Sequence, residues 1–98
     1  MKIDQTIKLL EAAKKLLRDD YSEGWRFGIC FHVSGLAINE FGDIDPDKLL
    51  KSFKSFLVIN QIIKRNLRMD QYWFPANKLA PRIKALNLYI KHLKSLKS

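Results

Sequence analysis

Cys30 and His32 are the residues whose types could do covalent chemistry together. A thiolate beside an imidazole is a nucleophile when a third group holds the imidazole in place. On a strand the pair would share a face. On a helix each step turns about 100°, so the two side chains point about 200° apart. No Asn or Asp stands at an obvious orienting position, which favours a small buried thiol next to a surface imidazole. Metal binding falls short on ligands: one Cys, and two His at positions 32 and 92, give no zinc spacing. Asp43, Asp45 and Asp47 alternate like the opening of a calcium loop. Pro46 interrupts them, and neither the required Gly nor the closing Glu follows. Gly24 and Gly28 are isolated, with no phosphate-loop Lys-Ser/Thr after them. Acidic residues fall at helix ends or on polar faces and form no general acid–base pair. The expectation is a protein that is not an enzyme, with no catalytic residues, no metal and no cofactor.

Two other groups could carry recognition. The first is Tyr72-Trp73-Phe74-Pro75, whose three consecutive rings cannot all face inward from one backbone path. Either Trp73 or Phe74 plugs the open end of a bundle, or the loop is an aromatic anchor for a partner, since Tyr and Trp concentrate at binding hot spots. Stacking on unpaired bases is a further use of such rings. The second group is basic. Lys64, Arg65 and Arg68 are predicted to end the third helix, and Arg82, Lys84, Lys91, Lys94 and Lys97 to line the fourth. The net charge is +8. Residues 1–44 hold six basic and seven acidic side chains; residues 45–98 hold twelve and three. The excess lies wholly in the second half, which suits either an acidic or polyanionic partner or a solvated face that keeps a small helical protein soluble. Phosphate contacts from such a face would be salt-dependent and non-specific, and no helix-turn-helix pair accompanies them.

These residues need elements to hold them. Ile3, Ile7, Leu10, Ala13 and Leu17 fall at helical spacing, predicting an amphipathic helix over about 4–19 with Asp4 as N-cap. Residues 24–41 carry two periodicities. Trp25, Phe27, Ile29, Phe31 and Val33 alternate as on a strand, while Phe27, Cys30, Phe31, Ser34, Ala37, Ile38 and Phe41 form a helical stripe. Length favours the helix, and Gly28 and Gly35 would mark close approach of a neighbouring helix. A third helix starts at Asp45-Pro46-Asp47, with Asp45 as N-cap and Pro46 where a missing N–H is harmless. Its stripe runs Leu49, Phe53, Phe56, Leu57, Ile63 and Leu67. Pro81 opens a fourth helix with Leu86, Tyr89, Ile90, Leu93 and Leu96 inside and Lys84, Asn87, Lys91, Lys94 and Ser98 outside. The fold class is all-α, a small three- to four-helix bundle; the alternative is α+β with a strand at about 25–33.

Ninety-eight residues, 47% of them hydrophobic, suit one domain spanning 1–98 with a real core. A lone cysteine, no signal-peptide pattern and apolar runs far shorter than the roughly 20 residues of a membrane span point to a cytoplasmic protein with no membrane partner.

Phe27-Gly28-Ile29-Cys30, a capped middle helix, Tyr72-Trp73-Phe74-Pro75, and Pro81-Arg82-Ile83 followed by Leu86 and Ile90 form one pattern over roughly residues 24–93. It resembles a loose group of small, uncharacterised proteins of tailed bacteriophages that share a G-[IL]-C helix and a late W-F-P followed by R-[IL]-x-x-L-x-x-x-I. The resemblance implies a helical fold and an infected bacterial host, and brings no activity with it. Small phage proteins commonly redirect host machinery, such as defence or transcription complexes. The expected function is therefore a non-enzymatic interaction protein that binds a host protein or nucleoprotein. Direct, largely non-specific nucleic-acid binding by the basic half is the alternative. The oligomeric state is open between monomer and homo-oligomer.

Overall fold

The structure is a computed structural model that describes residues 2–66, 73–75 and 78–97. Four helices follow one another: α1 (Ile3–Glu23), α2 (Ile29–Asn39), α3 (Pro46–Ile59) and α4 (Leu79–Ser95). No strand occurs among the described residues, so the all-α expectation holds and the strand at 25–33 does not form. α1 packs most heavily on α4 and α2; α2 also packs on α3, and α3 lightly on α4. α2 and α4 therefore lie diagonally across the bundle.

α1 buries Ile7, Leu9, Leu10, Ala13 and Leu17. It runs four residues beyond the predicted end and stops at Gly24, which takes φ 93°. The Gly24 N–H donates to the Tyr21 carbonyl at 3.3 Å and the Trp25 N–H to that of Asp20 at 2.7 Å. That Schellman arrangement needs the left-handed residue that glycine supplies without strain. Asp4 is not the cap. Lys2 holds that position, and Asp4 sits in the first turn, where its carboxylate pairs with Lys97 beyond the end of α4.

Asp45 does cap α3, its carboxylate accepting from the Asp47 and Lys48 N–H groups at 2.9 and 3.4 Å. The helix is shorter than its stripe suggested. It ends at Asn60, and Gln61 adopts φ 59°. The Ile62 N–H returns to the Leu57 carbonyl at 2.8 Å and the Gln61 N–H to that of Val58 at 3.0 Å, a Schellman turn made without glycine. Ile63 is still buried, but from the connection rather than the helix; Leu67 lies outside the described residues.

The core is lined from all four helices. Phe53 of α3 is fully buried, stacks on Tyr89 of α4 at 4.9 Å and meets the Trp73 ring edge-on at 5.9 Å. Burial raises the ionisation of Tyr89 above its usual value near 10, because the phenolate would lose solvation. Leu96, expected inside, is 55% exposed at the end of α4.

Candidate interaction surfaces

α2 is the element the sequence misread most. Its buried residues are Ile29, His32, Val33, Leu36 and Ala37, at +3, +4, +7 and +8. Of the predicted stripe, Phe27, Phe31 and Ile38 are exposed and Ser34 is half-buried, while Ala37 is in the core and Cys30 and Phe41 pack partly against it. Phe31 is 58% exposed and Ile38 73%. Gly35 meets no neighbouring helix: a Cβ built there has nothing within 4 Å. The helix is apolar all round, so periodicity alone could not choose the inward face. The face left outside forms a shallow groove with Leu16, Arg26, Phe27 and Glu40 along its edges.

Residues 25–28 lead irregularly from the Gly24 turn into α2 and lay rings on this face. Trp25, 56% exposed, stacks on Phe27 at 5.8 Å and 16°, and Phe27 on Phe31 at 4.4 Å and 12°. His32 stands edge-on to Phe27 and Phe31. It is buried rather than on the surface, and its Nε2 pairs with the Asp20 carboxylate of α1. Asp20 is thus the orienting group that sequence reasoning missed. A signal existed: Asp20 follows Leu10, Ala13 and Leu17 on the same apolar stripe. The pair fixes α2 to α1 and sets the ring against which the aromatic stack rests. Cys30 is half-buried.

Two rings of the aromatic loop are not exposed anchors. Trp73 and Phe74 are both 8% exposed and belong to the core, which is the plugging arrangement; Tyr72 lies outside the described residues. Arg82, predicted on the basic face, is 1% exposed. Its Nη1 donates to the carbonyls of Pro75 at 2.7 Å and Lys78 at 3.1 Å and to the Tyr21 hydroxyl at 3.2 Å, while Nη2 donates to the Phe74 carbonyl at 3.2 Å. The guanidinium also lies 5.9 Å from the Phe74 ring. Arg82 therefore ties the loop ahead of α4 to the end of α1 and is removed from partner binding. Its fixed fork of donors suits several carbonyls at once. Again the position was readable, since Arg82, Leu86, Tyr89 and Leu93 are spaced +4, +7 and +11 on the buried stripe.

The remaining basic residues divide. Lys64 and Arg65 are exposed but follow α3 in the connection instead of closing its last turn; Arg68 lies outside the described residues. Lys84, Lys91 and Lys94 are exposed on α4 as expected. Between them lies something the charge pattern did not show. Lys84, Leu88 and Lys91 stand one turn apart in a line, and Leu79, Ala80, Ile83 and Leu88 floor a depression that Lys84, Asn87 and Lys91 border. Leu88 is 38% exposed. Lys14 of α1 reaches across to Asn87 at 2.7 Å, which steadies the rim. This face could seat an apolar side chain while its lysines meet acidic groups.

Among the described residues no group of three or more His, Cys, Asp or Glu could hold a metal ion, and no helix is long and apolar enough to cross a membrane. No family model, no curated protein and no solved structure matches the chain, so its functional reading rests on the geometry of these two faces.

Proposed function

We propose that the chain is a non-enzymatic interaction protein that binds an acidic surface of a host protein or nucleoprotein through the outer face of α4. The phage setting implied by the sequence pattern is part of the proposal. The observation that carries it is the apolar floor of Leu79, Ile83 and Leu88 framed by Lys84 and Lys91. An apolar centre inside a polar, charged rim is the anatomy of a protein–protein contact. A face for phosphates alone needs only the lysines. With Trp73, Phe74 and Arg82 committed to the interior, recognition passes to α4 rather than to the aromatic loop.

The test is capture from nuclease-treated bacterial lysate, with wild type and the Lys84→Glu, Lys91→Glu, Lys94→Glu variant compared. The reading expects a discrete protein retained by wild type and lost by the variant, and also lost with Leu88→Asp. Retention by both would remove α4 from the account. The second reading, direct nucleic-acid binding, expects a labelled DNA or RNA shift whose log affinity falls linearly with log salt, and Leu88→Asp would leave it nearly unchanged.

A further inference from the structure

The α2 face is independent of that reading and carries its own inference. Trp25, Phe27, Phe31 and Ile38 are 56%, 38%, 58% and 73% exposed. Together they leave on the order of 400 Å² of apolar side chain open to solvent per copy. A patch of that size on a monomer is commonly a contact surface. Its rings are already ordered by stacking and by His32, so little freedom would be lost on docking.

The layout of the face says what covers it. Ser34 and Gly35 mark the middle of the outer side of α2, and a Cβ at Gly35 would meet nothing in the chain itself. Phe31 and Ile38 lie equally far to either side, about 5 Å along the axis from that midpoint. Beyond the N-terminal end stands exposed Arg26; beyond the C-terminal end stands exposed Glu40, and both border the groove. Arg26 is held in place by its bonds to the Trp25 and Tyr21 carbonyls and by the Tyr21 ring. Turned end for end, this pattern matches itself: bulk against bulk, small residues at the crossing, and Arg26 facing Glu40 at both ends.

We infer that two copies of the chain pair through α2, antiparallel about a two-fold axis at Ser34 and Gly35. Phe31 of each copy packs against Ile38 of the other, and Arg26 of each approaches the Glu40 end of the other. An isologous contact of this kind closes on itself and makes a dimer, not a filament. Two copies bring about 800 Å² of apolar surface before the polar rim is added, close to the roughly 1,000 Å² a specific interface needs. The dimer is therefore reversible and concentration-dependent. Because α4 lies diagonally across the bundle from α2, dimerisation leaves both α4 faces open.

Sedimentation equilibrium from about 1 µM to about 1 mM tests this. Wild type should pass from the 11.5 kDa monomer to twice that mass. Phe31→Asp and Ile38→Asp change exposed side chains and should stay folded by circular dichroism and monomeric throughout. Glu40→Arg alone should weaken association at least tenfold, and adding Arg26→Glu should restore it. In a Cys30→Ser background, Ser34→Cys should give a disulfide-linked dimer on addition of oxidised glutathione, which takes up the two electrons and two protons. A wild type that remains monomeric at the highest concentration overturns the inference and leaves the face to a foreign protein. Association that persists in both aspartate variants overturns it as well.

Discussion

Replacing Arg82 by Ala should do far more damage than any other change to a basic residue on α4. The guanidinium is 1% exposed and reaches three carbonyls and a hydroxyl at 2.7–3.2 Å. A hydrogen bond to a charged group contributes about 1.5–3 kcal/mol net. Three of the four share Nη1, so their contributions do not add in full. Truncation also strands the Phe74, Pro75 and Lys78 carbonyls and opens a void under the loop. The expected loss is about 3–5 kcal/mol, out of a total of about 5–15 kcal/mol for a domain this size. The melting temperature should fall by at least about 12 °C, followed by circular dichroism, with urea unfolding for the free energy. Arg82→Lys keeps the charge without the fork and should recover less than half of the loss. Lys84→Ala, two residues away and exposed, should stay within about 0.5 kcal/mol of wild type. If Arg82→Ala also stays within about 0.5 kcal/mol, the guanidinium is solvated and the link between the loop and α1 is wrong.

Three further outcomes follow from the same structure. Gln61→Gly should stabilise the fold by about 0.5–1 kcal/mol, because Gln61 holds a positive φ that glycine adopts without strain; a loss of stability in urea unfolding would count against the Schellman turn after α3. Asp45→Ala should cost about 1 kcal/mol by removing the cap on Asp47 and Lys48, read in the same assay. The hydrogen bond and charge of Lys97 hold the Asp4 carboxyl below its ordinary value of 3.8. A depressed folded value means that its stabilising effect is present above pH 3.8 and is lost as pH falls through the folded value. Carboxyl NMR titration should therefore give Asp4 a midpoint below 3.8 that rises in Lys97→Ala, and no change in that variant would refute the pairing.

What the sequence disclosed depends on how one-sided each element is. α3 was legible at its start because Asp45 and Pro46 each have a single good position at a helix N-terminus. α1 and α4 were legible because polar residues occupy one side and apolar residues the other. α2 was not, since Ile29, Val33 and Leu36 on one side are no more apolar than Phe31 and Ile38 on the other. Only the packing of α1 and α3 decides which side is covered. The end of α3 was hidden because Gln61 enters the left-handed region without being glycine. Arg82 and Asp20 were hidden by residue type, as basic and acidic residues are usually placed outside. Their spacing put both on apolar stripes, and a charged residue on a stripe is the signal of a buried tie. The docking candidates changed for the same reason: Trp73 and Phe74 turned inward, while Trp25, Phe27 and Phe31 remained outside.

The claim that α4 seats a host protein is tested most directly by site-specific photo-crosslinking. A benzophenone amino acid placed at Leu88 sits in the depression between Lys84 and Lys91, and one placed at Lys8, exposed on α1, serves as control. Irradiation in bacterial lysate should give one discrete protein adduct from position 88, resistant to nuclease and absent from position 8. No adduct at position 88, or one that nuclease removes, would contradict it.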